Sequence, residues 1–415
     1  MKILLSFCVA FFITSLAFAD PVTIWISSYQ DKQYYENMVK AYKQVDTDFD
    51  AEIHAFGFME MGDKLTVAMK TGVGTPDVIQ MDEIPYSMFL RGEVPFVDLA
   101  DRLKEAKLTD SFHPQRLALF TQQGKTYGVP QSLSAYVMYY RKDLFEKHNI
   151  TLADVDTWEK FQTVGKRLSA EGQALLPLDS SYFEVMLRQR GGRLFDEEGK
   201  AFPDMAMAVE VLSYIKALNT DRIAIAPGQG SIFAPLFFGS DVMNDEVICL
   251  MGADWYGLDM LQVNAPDMAG QWGIMPLPAW GAKGEAKTGH KSSTFAGQGL
   301  MIYNGSKKID ASWEFIKWVM TDIEANVQRY VQGNSFPAYM PAWKDERLLT
   351  GSDYFSGDSM GKVLMSVSET LPPIQMNGKR GQAVFMLSEN YFSAMIYGEK
   401  SPEAALGELK SILDK

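Results

Sequence analysis

Few side chains in this sequence have the types and spacing that enzymatic chemistry requires. The four histidines, His54, His113, His148 and His290, are scattered, with neither an H-E-x-x-H pair nor a cysteine partner for a zinc site. No segment matches the phosphate-binding pattern G-x-x-x-x-G-K-[ST], and no G-x-G-x-x-G lies between a strand and a helix. The sequence therefore predicts no bound metal and no cofactor.

Acidic side chains are numerous, but their spacing is uninformative. The runs at 82–83, 196–198 and 245–246 lack the D-x-D-x-D-G calcium pattern. Glycosidases use two carboxylates that are usually far apart in sequence, so spacing does not exclude them. An exported carbohydrate-active enzyme is therefore one alternative for this chain.

The elements that must position any site alternate between strand and helix. Buried runs predict strands at 22–27, 51–56 and 77–81, and apolar residues at helical spacing predict helices at 33–43 and 64–70. This order is typical of a parallel sheet covered by helices, and thus of an α/β fold. Later strands are predicted at 135–140, 174–178, 247–251, 273–276 and 300–303, and later helices at 158–169, 311–331, 383–397 and 402–413.

The first 19 residues have the pattern of a cleaved secretory signal. A short basic start is followed by an apolar stretch that ends in A-F-A at 17–19. Cys8 lies within that stretch and no cysteine follows the cleavage point directly, so we expect no lipid anchor. The sequence predicts a periplasmic, soluble mature protein.

Composition narrows the class of protein further. The 415 residues are 47% hydrophobic and 22% charged, which is typical of a globular chain. The net charge of −13 argues against binding to nucleic acid or to anionic lipid. Cys249 is the one cysteine beyond residue 19 and lies in an apolar run, so we expect a buried thiol and no internal disulfide.

Eight segments along the chain together carry a resemblance to a known family. They are I-W-I-S at 24–27, T-P-D-V-I-Q-M-D at 75–82, G-K-T-Y-G-V-P at 124–130, Y-Y-R-K-D-L-F at 139–145, D-T-W-E-K-F at 156–161, G-A-D-W-Y-G at 252–257, W-G-I-M-P-L-P at 272–278 and A-S-W-E-F-I-K-W at 311–318. With S-P-E-A-A-L at 401–406, which is similar to the family's terminal helix, the chain resembles the extracellular solute-binding proteins of ABC sugar importers. That group includes the maltose-binding protein.

The resemblance implies a periplasmic binding protein-like α/β fold with two discontinuous lobes around a ligand cleft. The N-terminal lobe would comprise 20–131 plus 295–334, and the C-terminal lobe 132–294 plus 335–415. The chain would cross between them near Gln131, Thr294 and Asn334. The implied function is non-enzymatic capture of a small carbohydrate by hinge closure and its delivery to ABC permease subunits, by a protein that acts as a monomer.

The resemblance also identifies candidate ligand contacts. A sugar site combines aromatic rings, which pack on C–H faces, with polar groups that bind hydroxyls. The positions that match the family's ligand-contacting loops are Tyr29, Gln30, Asp82, Gln131, Ser134, Tyr182, Asp254, Trp255, Phe295 and Gly297.

One loop departs from the family pattern. At 372–381, where oligosaccharide binders carry an aromatic platform, this chain has Lys379 and Arg380 instead. If Arg380 faces the cleft, its five donors suit hydroxyls, a carboxylate or a phosphate. This favours a mono- to disaccharide, or a related polyol or sugar acid, while an exposed basic loop remains the other interpretation. A phosphorylated polyol or a polyamine is an alternative ligand for the same fold.

Overall fold

The computed structural model describes residues 20–228, 230–281, 289–333 and 335–415. The predicted signal segment and Asn334 lie outside these residues. Within them the chain is α/β, as predicted, with two main sheets.

The first sheet combines strands from both ends of the chain. Its order is β2-β1-β3-β12-β6, from Ala51–Ala55, Val22–Ile26, Val78–Asp82, Gln298–Ile302 and Val129–Pro130. Strands β1, β2 and β3 are parallel, whereas β12 is antiparallel to both β3 and β6. The sheet is therefore mixed. The sequence pattern of the first three strands predicts a parallel sheet, and β12 and β6 add antiparallel pairs to it.

The second main sheet is built from the middle of the chain. Strand β7, Val137–Arg141, pairs antiparallel with β10, Cys249–Gly252, and with β11, Trp272–Pro276. Two minor pairs complete the strands of the described residues: β4 (Thr121–Gln122) with β5 (Lys125–Thr126), and β8 (Leu176–Pro177) with β9 (Ala224–Ile225).

Helices cover both sheets. In chain order they are α1 Lys32–Tyr42, α2 Phe58–Thr71, α3 Glu83–Met88, α4 Ala100–Glu105, α5 Pro114–Leu117, α6 Lys142–Lys147, α7 Trp158–Ala170, α8 Ser181–Gln189, α9 Met205–Thr220, α10 Pro235–Phe237, α11 Gln262–Asn264, α12 Ile309–Thr321, α13 Ile323–Val331, α14 Met360–Ser368, α15 Arg380–Met386, α16 Ser393–Ile396 and α17 Pro402–Leu413. Wider π turns span Phe238–Val242, Tyr256–Leu261 and Leu387–Phe392, and short 3₁₀ turns span Ala118–Phe120, Leu152–Asp154, Pro266–Met268, Met340–Lys344 and Glu346–Leu349. In the part of the chain that the structure describes, no helix is both long and apolar enough to cross a membrane.

Apolar side chains form separate cores around the two sheets. Alternate residues of β1, β3 and β12 pack on one face with α1 and α12, and the intervening residues pack on the other face with α2. The second sheet has its own, larger core, which includes Cys249 at 0% exposure. The prediction of a buried thiol is confirmed, and each lobe has a hydrophobic core of its own.

One predicted helix and one predicted loop differ in the structure. The helix predicted at 311–331 is interrupted at Asp322, whose extended backbone and side chain, accepting from Ala325 N, begin α13. An Asp at an N-cap satisfies a free backbone donor and starts a new helix. The segment that contains Tyr182, predicted as a loop after a strand, forms helix α8.

Three segments lie side by side where the two sheets meet. Gln131 N donates to Gln298 O, Leu133 N to Phe336 O, and Tyr136 N to Ser293 O, each at 2.9 Å. The segments 131–136, 293–298 and 335–338, named here the connecting segments, therefore run between the sheets as one hydrogen-bonded group. They include Gln131 and Thr294, while the crossovers and the lobe boundaries given above stay a prediction.

Candidate functional site

A cavity of about 580 Å³ lies between the two sheets, beside the connecting segments. Its size falls within the range of about 300–1,000 Å³ that is typical of small-molecule sites. Loops that follow strands β1, β2, β3 and β8 contribute to its lining, together with α15 and residues 295–298. Aromatic side chains and carboxylates dominate: the lining rings are Tyr29, Phe56, Phe58, Tyr136, Phe233, Trp255, Phe295 and Phe385, and the lining acids are Asp82, Asp179, Asp259 and Glu389.

The first sheet contributes three of the predicted site residues to this lining. Tyr29 and Gln30 line the cavity just after β1, and Tyr29 is 61% exposed. Asp82, the last residue of β3, accepts hydrogen bonds from Ile84 N at 2.8 Å and Gly297 N at 2.7 Å. Burial, and to a lesser degree the neighbouring Glu83 carboxylate, raises the pKa of Asp82 to about 7. This carboxyl can therefore change its charge near neutral pH at the cavity wall.

Trp255 and Phe233 form an aromatic platform on the opposite side. Their rings stack with centroids 5.9 Å apart and planes 29° apart, and both line the cavity. Trp255 follows β10 directly through a short turn, which explains why its ring does not enter the core. Such a ring pair offers a flat apolar face to a ligand while its edges remain near polar groups.

Phe295 and Gly297 line the cavity from the connecting segments. Gly297 has φ +101°, a conformation that favours glycine. A Cβ at this position would lie 2.2 Å from Ser134 Oγ and 2.5 Å from Arg116 Nη2. Only glycine fits here, and its N–H holds the Asp82 carboxyl in place.

Four other predicted site residues do not reach the cavity, which corrects the expectation that they face it. Gln131 is 1% exposed because Gln131 Oε1 accepts from the Tyr35 hydroxyl at 2.7 Å. Ser134 is fully buried against the Ser132 hydroxyl at 2.7 Å. Asp254 is buried with its carboxylate on Phe336 N, and Tyr182 points into the core of its lobe. These buried residues support the segments that line the cavity and do not themselves contact it.

The interpretation of Arg380 as a cleft-facing donor or as an exposed basic residue is also corrected. Arg380 is 1% exposed, and its Nε lies 2.9 Å from Glu184 Oε1 while its Nη2 lies 2.9 Å from Glu83 Oε1. Two carboxylates thus hold the guanidinium behind the cavity wall. The loop at 372–381 lacks the aromatic residue of the family pattern. An aromatic ring nevertheless reaches the cavity from this region, because Phe385 of α15 lines it.

Sequence reasoning missed several cavity residues. Asp179 lies just after the end of β8, as Asp82 lies at the end of β3, so its place at a strand end was a signal that could have identified it. Phe233, Asp259 and Glu389 lie in irregular or helical segments where no alternation marks the exposed face. Their placement depends on packing between distant parts of the chain.

No alternative chemical centre emerges among the described residues. They contain no group of three or more metal-ligating side chains. The pentapeptide G-D-S-M-G at 357–361 does match the nucleophile pattern G-x-S-x-G, but Ser359 Oγ accepts from Lys362 N at 3.2 Å and caps the start of α14. No strand leads into this serine, so it lacks the strand-to-helix turn that exposes a nucleophile.

Comparison with known proteins matches this architecture. The family model described as "Bacterial extracellular solute-binding protein" matches residues 27–325. The arabinooligosaccharide-binding protein of Bacillus subtilis is 25% identical over 405 residues, covering 94% of this chain and 92% of that protein. The lactose-binding protein of Rhizobium radiobacter is 22% identical over 371 residues, covering 84% of this chain and 82% of that protein.

Solved structures share the fold over nearly the whole chain. The GacH receptor of Streptomyces glaucescens, solved unliganded and with acarbose, has a TM-score of 0.76 at 21% identity, covering 94% of this chain and 97% of that one. The ABC transporter associated binding protein of B. animalis subsp. lactis, solved with β-1,6-galactobiose, has a TM-score of 0.75 at 17% identity, covering 95% of this chain and 96% of that one.

Proposed function

The chain belongs to the bacterial extracellular solute-binding protein family, and on that premise we propose that it is the receptor of an ABC importer for a short, uncharged saccharide. Members of this family bind solutes, so the chain is a binding protein and not an enzyme. The alternative of an exported carbohydrate-active enzyme is therefore set aside.

The observation that carries the proposal is the composition of the cavity wall. The stacked rings of Trp255 and Phe233 face a lining that also holds Tyr29, Asp82 and Asp179. Aromatic faces pack on sugar C–H groups, and carboxylates accept hydrogen bonds from hydroxyls. The similarity to an arabinooligosaccharide-binding protein and to a lactose-binding protein supports the same class of ligand.

The charge of the wall narrows that class. No Lys, Arg or His lines the cavity among the described residues, whereas four carboxylates do. An anionic ligand would meet carboxyl groups and no basic side chain in this lining, which is unfavourable in a partly desolvated site. The sugar acids and phosphorylated polyols considered from the sequence are therefore not favoured, because their expected partner Arg380 is held by Glu83 and Glu184.

We propose that the ligand is captured by closure of the lobes about the connecting segments. Ser134, Ala296 and Gly297 have positive φ values of 48°, 60° and 101° in these segments, so small backbone changes there reorient both walls of the cavity. The remaining predictions, a periplasmic location after cleavage at residue 19, delivery to permease subunits and a monomeric state, are part of the same proposal.

A thermal-shift screen of the purified protein tests this function. The panel contains α-1,5-arabinobiose, lactose, maltose, β-1,6-galactobiose, glucuronate, glycerol phosphate and spermidine. A ligand that binds the folded state raises its melting temperature by mass action, so we expect stabilisation by at least one neutral saccharide. Stabilisation by spermidine or by the anions alone would refute the proposal, and release of reducing ends from a polysaccharide would contradict the assignment as a binding protein.

A further inference from the structure

A buried cluster of ion pairs links four helices, α3, α5, α8 and α15, behind the cavity. Glu83 of α3 pairs with Arg116 at 2.8 Å and with Arg380 of α15 at 2.9 Å. Arg380 pairs in addition with Glu184 of α8, through Nε at 2.9 Å and Nη2 at 3.1 Å. All four side chains are at most 5% exposed, so water screens their charges little.

The cluster lies one layer of side chains behind the ligand cavity. The guanidinium carbon of Arg380 is 5.8 Å from the centroid of the Phe295 ring, and that ring lines the cavity. Ser181, one turn before Glu184 on α8, also lines it, as does Val384, one turn after Arg380 on α15. A net charge in the cluster therefore acts on a ligand through protein rather than through water.

The charges of the cluster nearly balance. A third guanidinium, that of Arg188, donates to neutral oxygens of Thr294 and Pro372 and lies close enough to Glu184 and Glu83 for their charges to act on it. Three guanidinium groups are thus opposed by Glu83, Glu184 and the Asp82 carboxyl. If Glu184 lost its charge, the wall behind the cavity would carry a surplus positive charge.

We propose that Glu184 sets the charge selectivity of the cavity through Arg380. By neutralising this guanidinium it keeps the wall behind the cavity without a surplus positive charge, so that saccharides bearing a carboxylate gain no attraction there and uncharged ones are preferred. The inference rests on the proposed saccharide-binding function. Glu184 acts here as a specificity-determining residue that does not itself touch the ligand.

The test compares matched ligands on Glu184→Gln, which keeps the size of the side chain and an acceptor oxygen. Calorimetry measures α-1,5-arabinobiose, lactose and β-1,6-galactobiose, each with its derivative carrying a carboxylate, or an amine, in place of the terminal primary alcohol. We expect the ratio of carboxylate to neutral affinity to rise about tenfold in Glu184→Gln, and the ratio of amine to neutral affinity to fall. Opposite shifts of the carboxylate and amine ratios identify an electrostatic effect. A change of shape or of lobe closure would instead move the affinities for the neutral, carboxylate and amine forms of a sugar together.

Two further variants separate charge from folding. The double variant Glu184→Gln/Arg380→Gln removes a charge of each sign, so its ratios should return to those of the parent. Arg380→Gln alone should shift both ratios in the reverse direction, and it serves as the test if Glu184→Gln does not fold. Glu210→Gln is the matched control. Glu210 lies on α9 and is an exposed partner of Arg190, so its substitution should change neither ratio.

Unchanged ratios in a folded Glu184→Gln protein that still binds the neutral sugar would overturn this inference alone. If the parent protein bound none of the three neutral sugars, the proposed function and this inference would both fail.

Discussion

The substitution Gly297→Ala probes the junction of the site with the connecting segments. Gly297 adopts φ +101°, and an added Cβ would approach Ser134 Oγ to 2.2 Å and Arg116 Nη2 to 2.5 Å. Backbone strain of this kind costs about 1–3 kcal/mol, and overpacking of a buried site costs about as much again. We therefore expect the free energy of unfolding to fall by about 2–6 kcal/mol.

The assay is urea unfolding followed by circular dichroism, analysed by linear extrapolation. Gly398→Ala is the matched control, because Gly398 has φ +83° but no atom within 4 Å of an added Cβ. Its cost should be that of the backbone alone, about 1 kcal/mol. If Gly297→Ala proved no more destabilising than Gly398→Ala, the close approach of Ser134 and Arg116 would not restrict this position.

Three further outcomes follow from the structure. Trp255→Ala should weaken saccharide binding about tenfold in calorimetry, because it removes the stacked platform, whereas Tyr397→Ala, an exposed and remote ring, should not. Burial raises the pKa of Asp254 to about 7, above the value of about 3.9 in an unfolded chain, so its contribution to stability falls as the pH rises from about 4 to 7. Asp254→Asn should accordingly raise the melting temperature more at pH 8 than at pH 4.5, and an equal change at both would contradict the buried ionisation. Cys249 should resist iodoacetamide until urea unfolds the chain, since burial raises the pKa of its thiol, and rapid alkylation of the folded protein would refute this.

Local pattern predicted strands β1, β2 and β3 closely because each is a short apolar or alternating run between turns, whereas β6 was not predicted. The strand predicted at 77–81 is Val78–Asp82, and that predicted at 51–56 is Ala51–Ala55. Tyr29 and Asp82, which the family resemblance identified, do line the cavity, and both lie at the ends of parallel strands, which meet at one edge of a sheet.

The positions that were predicted wrongly depend on partners distant in sequence. The side chain of Gln131 is bound by the Tyr35 hydroxyl and does not reach the cavity. The guanidinium of Arg380 is likewise held away from it by the carboxylates of Glu83 and Glu184. A basic residue within a loop shows no sign in the sequence that two carboxylates will bury it. Phe385 was missed because a helix interior without strong alternation does not reveal which face turns to a cavity.

The position of β12 has a consequence for how the chain is made. This strand pairs with both β3 and β6 in the first sheet, yet it follows the whole second sheet in the sequence. During synthesis from the N-terminus, β3 and β6 therefore keep unpaired edges until residue 302 has left the ribosome. Closing so long a loop is slow, and the core of the second sheet in turn includes residues as late as Leu413, so neither lobe can finish folding until most of the chain has been synthesised. If the chain is exported as proposed above, this delay prolongs the unfolded state in which it can cross a membrane.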